Sequence, residues 1–376
     1  MPIAPKYLNP SSRLDVPGSK PASIWHRDIG SLLKGGHSKA SFRELAVFSR
    51  KMSFLLGAGI PIKTALTIVS DQLPSRGLRG LLPGLSARVI QGESFSAAIK
   101  ATGAFPAFFH GFAIIGEATA TLPQTMEKLA DFYDDRAQTK DELTAALVYP
   151  IAVTIMMLGV MVLAVTFVLP GYSRIFDTTG ATLPLLTRGL MRISEFMTAN
   201  ALFVAVSIFT LPILLFMFAG SKHGHGIIAG LELRIPLARQ GINYRLTQAL
   251  HMLLSAGLPV SRALPLAEGV MDNVQVQRDL GKISAQMDVG KPFWEALGEV
   301  KYIDPLLVGL ARVGEETGRM TQTMEKCQDY YSQAYKRAIR RLNKLIEPII
   351  TLVLGVGLGV IMLAIILPTF ELATVI

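Results

Sequence analysis

The pentapeptide Gln124-Thr125-Met126-Glu127-Lys128 returns as Gln322-Thr323-Met324-Glu325-Lys326, 198 positions later. At that fixed offset residues 113–133 match 311–331 at 11 of 21 positions, where ordinary amino-acid usage gives about one or two. The register extends outward without a gap. Leu55, Leu56, Ala58, Gly59 and Pro61 fall on Leu253, Leu254, Ala256, Gly257 and Pro259. Gly92 and Phe95 fall on Gly290 and Phe293, Pro150 on Pro348, and Leu169-Pro170 on Leu367-Pro368. One unit thus spans about 47–170 and the other about 245–368. A period this long with two copies predicts two homologous domains rather than a solenoid.

Half of the 376 residues are hydrophobic and 17% are charged, too apolar for an ordinary soluble chain. The excess lies in three runs, 143–169, 201–220 and 348–370, none of which holds a charged residue. Each is about the 20 residues that a helix needs to cross roughly 30 Å of hydrocarbon, whereas buried helices of soluble proteins seldom stay uniformly apolar beyond about 14. Three transmembrane helices are expected, at 147–169, 201–220 and 347–369.

Residues 1–41 are rich in Pro, Gly, Ser and Lys and lack the apolar core of a cleavable signal peptide. They read as a polar cytosolic arm with Trp25 as a candidate anchor. From Phe42 the pattern turns helical, with Leu45, Phe48, Met52 and Leu55 on one stripe. Gly57 and Gly59 stop that helix, and Pro61 suits the first turn of the next. A third helix is expected over 76–90 and a fourth after Gly92 with Ser94 as N-cap. A fifth follows Pro106, and a sixth starts near Thr121 and runs on into the first span. Nothing alternates like a strand. The fold class expected is therefore all-α: an integral membrane protein with two homologous cytosolic six-helix bundles, 42–146 and 221–346, and three transmembrane helices.

Orientation follows from the basic residues. Lys336, Arg337, Arg340, Arg341 and Lys344 precede the third span and nothing basic follows it. By the positive-inside rule both repeats are cytosolic, while the loop 170–200, with Arg174, Arg188 and Arg192, and the tail 370–376 are periplasmic. The net charge of +9 serves this orientation; no aromatic interleaving or fold signature points to nucleic acid. Pro150 and Pro348 stand where the long helices enter the membrane, and each removes one helical hydrogen bond, so both are candidate bends. Gly355 and Gly359 form a small-x-x-x-small pair that suits close helix packing, within the chain or between copies.

The chain carries no phosphate-cradling loop, no Gly-x-Ser-x-Gly and no His-Glu-x-x-His, so no catalysis and no cofactor is expected. His223 and His225 lack acidic or thiol companions and read as a polar turn. The lone cysteine, Cys327, is expected to be a free structural thiol in the cytosol. The three apolar runs 143–169, 201–220 and 348–370 hold no Asp, Glu, Lys, Arg or His, which counts against an ion-coupled transporter. One polar constellation is repeated: Gly116, Glu117 and Thr119, then Gly314, Glu315, Thr317 and Gly318. It reads as a tight link between helices, with Thr121 or Thr321 as N-cap and the glutamate accepting backbone N–H bonds. A divalent-cation site is the sharper alternative, but one glutamate per copy cannot make it alone.

Gly-Ile/Leu-Pro, Gly-x-x-Phe, Gly-Glu-x-Thr-Gly and a long helix running to a proline and a span, given twice, resemble the inner-membrane platform proteins of type II secretion systems and type IV pili. The resemblance covers 42–370. It implies two cytosolic six-helix domains and a non-enzymatic role, coupling a cytosolic hexameric assembly ATPase to extraction of pilins or pseudopilins. Other inner-membrane assembly components, membrane lipid and further copies of the chain are the other partners it implies. The second copy matches the motif fully; the first has Ala120 in place of its last glycine, which predicts a differently shaped turn. The competing reading is a small-solute transporter or channel built on parallel repeats.

Overall fold

A computed structural model describes residues 40–73, 76–163 and 229–375, with the isolated positions 189, 192, 196, 199, 200 and 210. The polar arm up to residue 39, the end of the first span from 164, nearly all of the loop 170–200, nearly all of the second span 201–220, and His223 with His225 lie outside the described residues.

Among the described residues every element is a helix: α1 (Phe42–Gly57), α2 (Ile62–Gln72), α3 (Arg76–Arg79), α4 (Leu82–Ile90), α5 (Phe95–Thr102), α6 (Ala107–Ala118), α7 (Leu122–Leu163), α8 (Pro236–Leu254), α9 (Val260–Glu268), α10 (Val274–Asp288), α11 (Phe293–Gly298), α12 (Pro305–Glu316) and α13 (Met320–Val375). The starts of α2, α3, α5, α6 and α7 recur 198 residues on as those of α9, α10, α11, α12 and α13. The duplication is therefore structural as well as sequential.

Local chemistry accounts for these boundaries. Ser41 caps α1 in a capping box, its hydroxyl accepting the Glu44 N–H while the Glu44 carboxylate accepts the Ser41 N–H at 2.7 Å. Of the expected stripe, Leu45, Phe48 and Met52 are buried and Leu55, near the helix end, is half-buried against the core. After α1 and α8 the chain reverses through Gly59 (φ +78°) and Gly257 (φ +85°), a conformation that costs an L side chain energy and a glycine none. Pro61 and Pro259 then occupy the N-cap, one residue earlier than the first-turn position expected of them. Ser94 caps α5 as expected, accepting the Ala97 N–H at 3.2 Å.

Two expectations are corrected. The single helix expected over 76–90 is broken into α3 and α4, whereas its counterpart α10 is unbroken. Pro83 explains the break: it lacks the N–H that would extend α3 and instead sits in the first turn of α4, while the second copy has Gly281 there. The turn at Ala120 is not differently shaped. Thr121 N–H donates to Gly116 O at 2.8 Å and Arg319 N–H to Gly314 O at 2.9 Å, so both copies close the same 6→1 loop. Ala120 is forced into the left-handed region at φ +54°, the position Gly318 takes at +68°.

The chain divides into two compact units: 1–138 with 225–335, which holds both repeats with their long helices as far as residues 138 and 335, and 139–224 with 336–376. In the first, an aromatic core of Phe48, Phe105, Phe109 and Tyr133 sits beside Phe108, Phe112 and Phe132, with Phe108 and Phe132 ring centroids 4.7 Å apart. Burial pushes the Cys327 thiol up to about 11, so it is neutral and inert at physiological pH, as a structural thiol should be.

In the second unit, α7 and α13 each carry an apolar stretch long enough to cross a membrane, and none of either stretch is buried in protein. Ile155, Met156, Leu352 and Val356 are among the exposed residues. A soluble core helix would be covered, so hydrocarbon is the solvent this surface fits. α7 runs through Pro150 and α13 through Pro348, and α13 continues to Val375. Between the two helices the close approach falls on Gly357, where a Cβ would lie 3.0 Å from Met157 Sδ; Gly355 and Gly359 face open space within the chain.

The left-handed residue gives a direct test. An alanine there costs about 1–2 kcal/mol, partly offset by the greater unfolded-state freedom of glycine. Ala120→Gly should stabilise the full chain in detergent by about 1 kcal/mol and Gly318→Ala should destabilise it by a similar amount, measured by denaturant unfolding. Equal stabilities for all three chains would show that the turn carries no strain.

Candidate functional site

The repeated polar motif forms a junction of three helices in each copy. Gly116 lies where α6 meets α7: a Cβ built on it would stand 2.6 Å from Thr125 Oγ1, closer than any side chain can come. At Gly314 the same contact, to Thr323 Oγ1, is 3.0 Å. Thr125 and Thr323 belong to the repeated Gln-Thr-Met-Glu-Lys stretch, so the glycine of one motif is required by the threonine of the other. Thr119 and Thr317 turn their hydroxyls back onto Ile115 O (2.7 Å) and Val313 O (2.6 Å), carbonyls that also accept the backbone N–H of the same threonines.

The glutamate does not cap its own hairpin; it reaches back to the preceding helix. Glu117 Oε1 accepts the Phe95 N–H at 2.7 Å, and its Oε2 accepts the Ser96 N–H at 3.2 Å and the Ser96 hydroxyl at 2.6 Å. Glu315 accepts the Phe293 N–H at 3.0 Å and the Trp294 N–H at 3.1 Å. These are the first two amides of α5 and α11, which have no acceptor inside their helices. A carboxylate there is also favoured by the helix dipole. The Gly-x-x-Phe and Gly-Glu-x-Thr motifs are thus two halves of one device.

This geometry bears on the cation alternative. Both carboxylates face N–H donors, the opposite of what a cation needs, and among the described residues no group of three or more His, Cys, Asp or Glu is placed to hold a metal. Thr121 does stand at the start of α7, its carbonyl accepting the Thr125 N–H, but Thr321 lies inside α13, where Arg319 fills that role.

A second polar cluster, not visible in the motifs, joins the two repeats. Arg136, near the middle of α7, donates to Val270 O at 2.9 Å and lies 3.9 Å from Asp272, which also pairs with Arg245 at 2.7 Å. Its guanidinium stacks over Phe42 and Phe132, 5.1 and 5.5 Å from their centroids. Burial lowers the pKa of Arg136 from its ordinary value and the Asp272 carboxylate counters this. Beside it Tyr244 donates to Asp135 at 2.6 Å, and Gln248 donates to Tyr244 Oη at 3.1 Å. Burial, then the Asp135 charge, raises the Tyr244 pKa, so its hydroxyl stays a donor. Alongside, α6 crosses α9 so closely that a Cβ on Gly111 would stand 2.8 Å from Leu266 Cδ2. Offset comparison misses the charged cluster because Arg136 corresponds to Ala334 and Asp272 to Pro74. The available signal was the lone arginine in an otherwise acidic stretch, Asp134-Asp135-Arg136.

The described residues define a duplicated helical protein whose repeats each end in a helix with an uncovered apolar stretch. The family described as type II secretion system (T2SS), protein F matches residues 48–170 and again 246–368, and the chain belongs to that family. It is similar to the type IV pilus assembly protein PilC of Thermus thermophilus, at 28% identity over 305 residues, 77% of this chain and 73% of that protein. Similarity to the type II secretion system protein F of Aeromonas hydrophila is 27% over 311 residues, 77% and 76% of the two chains. To the Escherichia coli protein described as a protein transport protein HofC homolog it is 27% over 288 residues, 75% and 72%. The two family segments coincide with the units that the 198-residue offset delimits.

Two expectations follow from the contacts. Glu315→Gln should destabilise the chain by about 1.5–3 kcal/mol, the worth of hydrogen bonds to a charged group, and speed hydrogen exchange at Phe293 and Trp294. Glu117→Gln should cost less, because Ser94 still caps α5 whereas its counterpart Pro292 makes no side-chain cap on α11. An equal effect of the two would refute that division. Arg136→Met should cost about 3–5 kcal/mol, as for a broken buried pair, and raise exchange in α9; unchanged α9 protection would show that the cluster does not hold the repeats together.

Proposed function

We propose that this chain is a non-enzymatic platform of the bacterial inner membrane that couples a cytosolic assembly ATPase to the extraction and polymerisation of pilins or pseudopilins. The observation that carries this reading is the double family match, in register with two junctions of identical design, each rooting a helix with a membrane-length apolar stretch. The relatives whose names mention type IV pilus assembly and type II secretion support the same reading. In it both repeats are cytosolic, the N-terminus is cytosolic and the C-terminus periplasmic. Three spans, with 201–220 as the connector that restores parity, would let both repeats enter from the same side.

The proposed mechanism is mechanical. The repeats take up a rotation or tilt from the hexameric ATPase, and α7 and α13 carry it toward the pilin, with Pro150 and Pro348 as bends and Gly355 and Gly359 offering a packing face to further copies or other assembly components. Detergent-solubilised full-length protein should co-purify with the folded, hexameric assembly ATPase of the same organism, and replacing both prolines by alanine should reduce pilus or secretion output while leaving that binding intact. Absence of binding by the intact chain would overturn the coupling, and full output from the double variant would remove the bends from it.

A further inference from the structure

We propose that the cytosolic root of α13 is a binding site for anionic phospholipid headgroups, formed by Arg337, Arg340, Arg341 and Lys344. The proposal rests on α13 being a membrane span, not on the platform role. At 100° per residue these four side chains fall within an arc of about 100°, on one face of the helix and over about 10 Å of its length. All four are exposed, and none forms an ion pair among the described residues.

This arrangement is unfavourable for the helix alone. Arg337 with Arg341 and Arg340 with Lys344 are like charges at i,i+4, a spacing that destabilises an isolated helix. Four cations within one Debye length repel one another unless anions stand among them. Their position supplies the anion. Lys344 is about 6 Å below Pro348 along the helix, and the exposed, apolar Leu345 and Ile349 follow immediately. Long basic side chains there bury their stems and place their charges at the headgroup level. A lipid phosphate meets that charge while its chains cover the apolar stretch above, so one molecule matches both halves of the surface. The only acid nearby in sequence is Glu347.

The first repeat has no such foot. Positions equivalent to Arg337, Arg340, Arg341 and Lys344 are Thr139, Glu142, Leu143 and Ala146. Charge is reversed at one and absent at three, although the junction beneath both helices is the same. The anionic lipid is therefore held at α13 and not at α7.

The test is native mass spectrometry of the full-length chain in neutral detergent micelles containing equimolar phosphatidylglycerol and phosphatidylcholine. Each cation near an anionic surface contributes about fivefold to binding, so phosphatidylglycerol should be retained several-fold over phosphatidylcholine, less so at high salt. Replacing Arg337, Arg340, Arg341 and Lys344 together by glutamine should abolish the preference. Replacing the three arginines by lysine should keep it. Inertness of the buried Cys327 thiol toward a maleimide reports that each variant is folded; should the glutamine variant fail that check, the native chain and the lysine variant still decide. Equal retention of both lipids by the native chain, a preference that survives the glutamine substitutions, or displacement of the lipid by inorganic phosphate at constant ionic strength would each overturn the site. Retention of neither lipid would instead refute the reading of α13 as a span.

Discussion

Because Gly116 has no side chain, α7 can leave α6 with Thr125 lying against the backbone, so close that a Cβ on residue 116 would stand 2.6 Å from Thr125 Oγ1. That contact places Glu117, the next residue, opposite the open N-terminus of α5, where its two oxygens meet two amides. The angle of the hairpin and the capping of the neighbouring helix are thus one decision. The same holds at Gly314 and Glu315, with Trp294 in place of Ser96. A long helix rooted this way is tied to its neighbour, since the hairpin that carries it also holds Glu117 against α5 or Glu315 against α11.

The junction was kept in both copies while the faces around it diverged. Phe108 is 1% exposed and its counterpart Leu306 44%; Phe132 is 3% exposed and Tyr330 49%. In the first copy these positions lie beside the crossing onto α9, and in the second they remain open. The charged cluster changes in step with this. Both Arg136 and Asp272 give way to uncharged counterparts, Ala334 and Pro74, so neither copy is left with half a pair. That is what the cost of an unpaired buried charge requires.

Turn chemistry and the repeat made most helix boundaries legible in the sequence, because Gly59, Gly92, Ser94 and Pro106 act on their own neighbours. What stayed hidden depends on distant partners or on a single altered residue. The acceptor role of Glu117 was readable, but not that its donors lie 21 and 22 residues back, since capping rules describe a local loop. Pro83 breaks a helix whose apolar spacing continues across it. Ala120 adopts a glycine conformation because the 6→1 hydrogen bond and the Gly116 contact leave the chain no other path. For Gly355 and Gly359 the spacing was legible and the facing was not: the side of α13 that meets Met157 carries Gly357.

A helix fixed at its root is a lever, and this bears on how the chain would act as a platform. From Leu122 to Pro150 α7 rises about 42 Å at 1.5 Å per residue, so a rotation of about 5° at the junction displaces the proline by roughly 4 Å. Small rearrangements among α5, α6 and α7 are therefore sufficient to move a membrane segment by the width of a side chain, without melting any helix. The lever works only if its root is stiffer than its far end. The cap, the glycine contact and the aromatic core supply stiffness at the root, while Pro150, inside the same helix, lacks the N–H of one helical hydrogen bond. In α13 the same root leads into the exposed basic face of Arg337, Arg340, Arg341 and Lys344, which the proposed lipid site would anchor and which α7 lacks. On the proposed mechanism, two levers of one design, one anchored and one free, would convert a common input into relative motion between them.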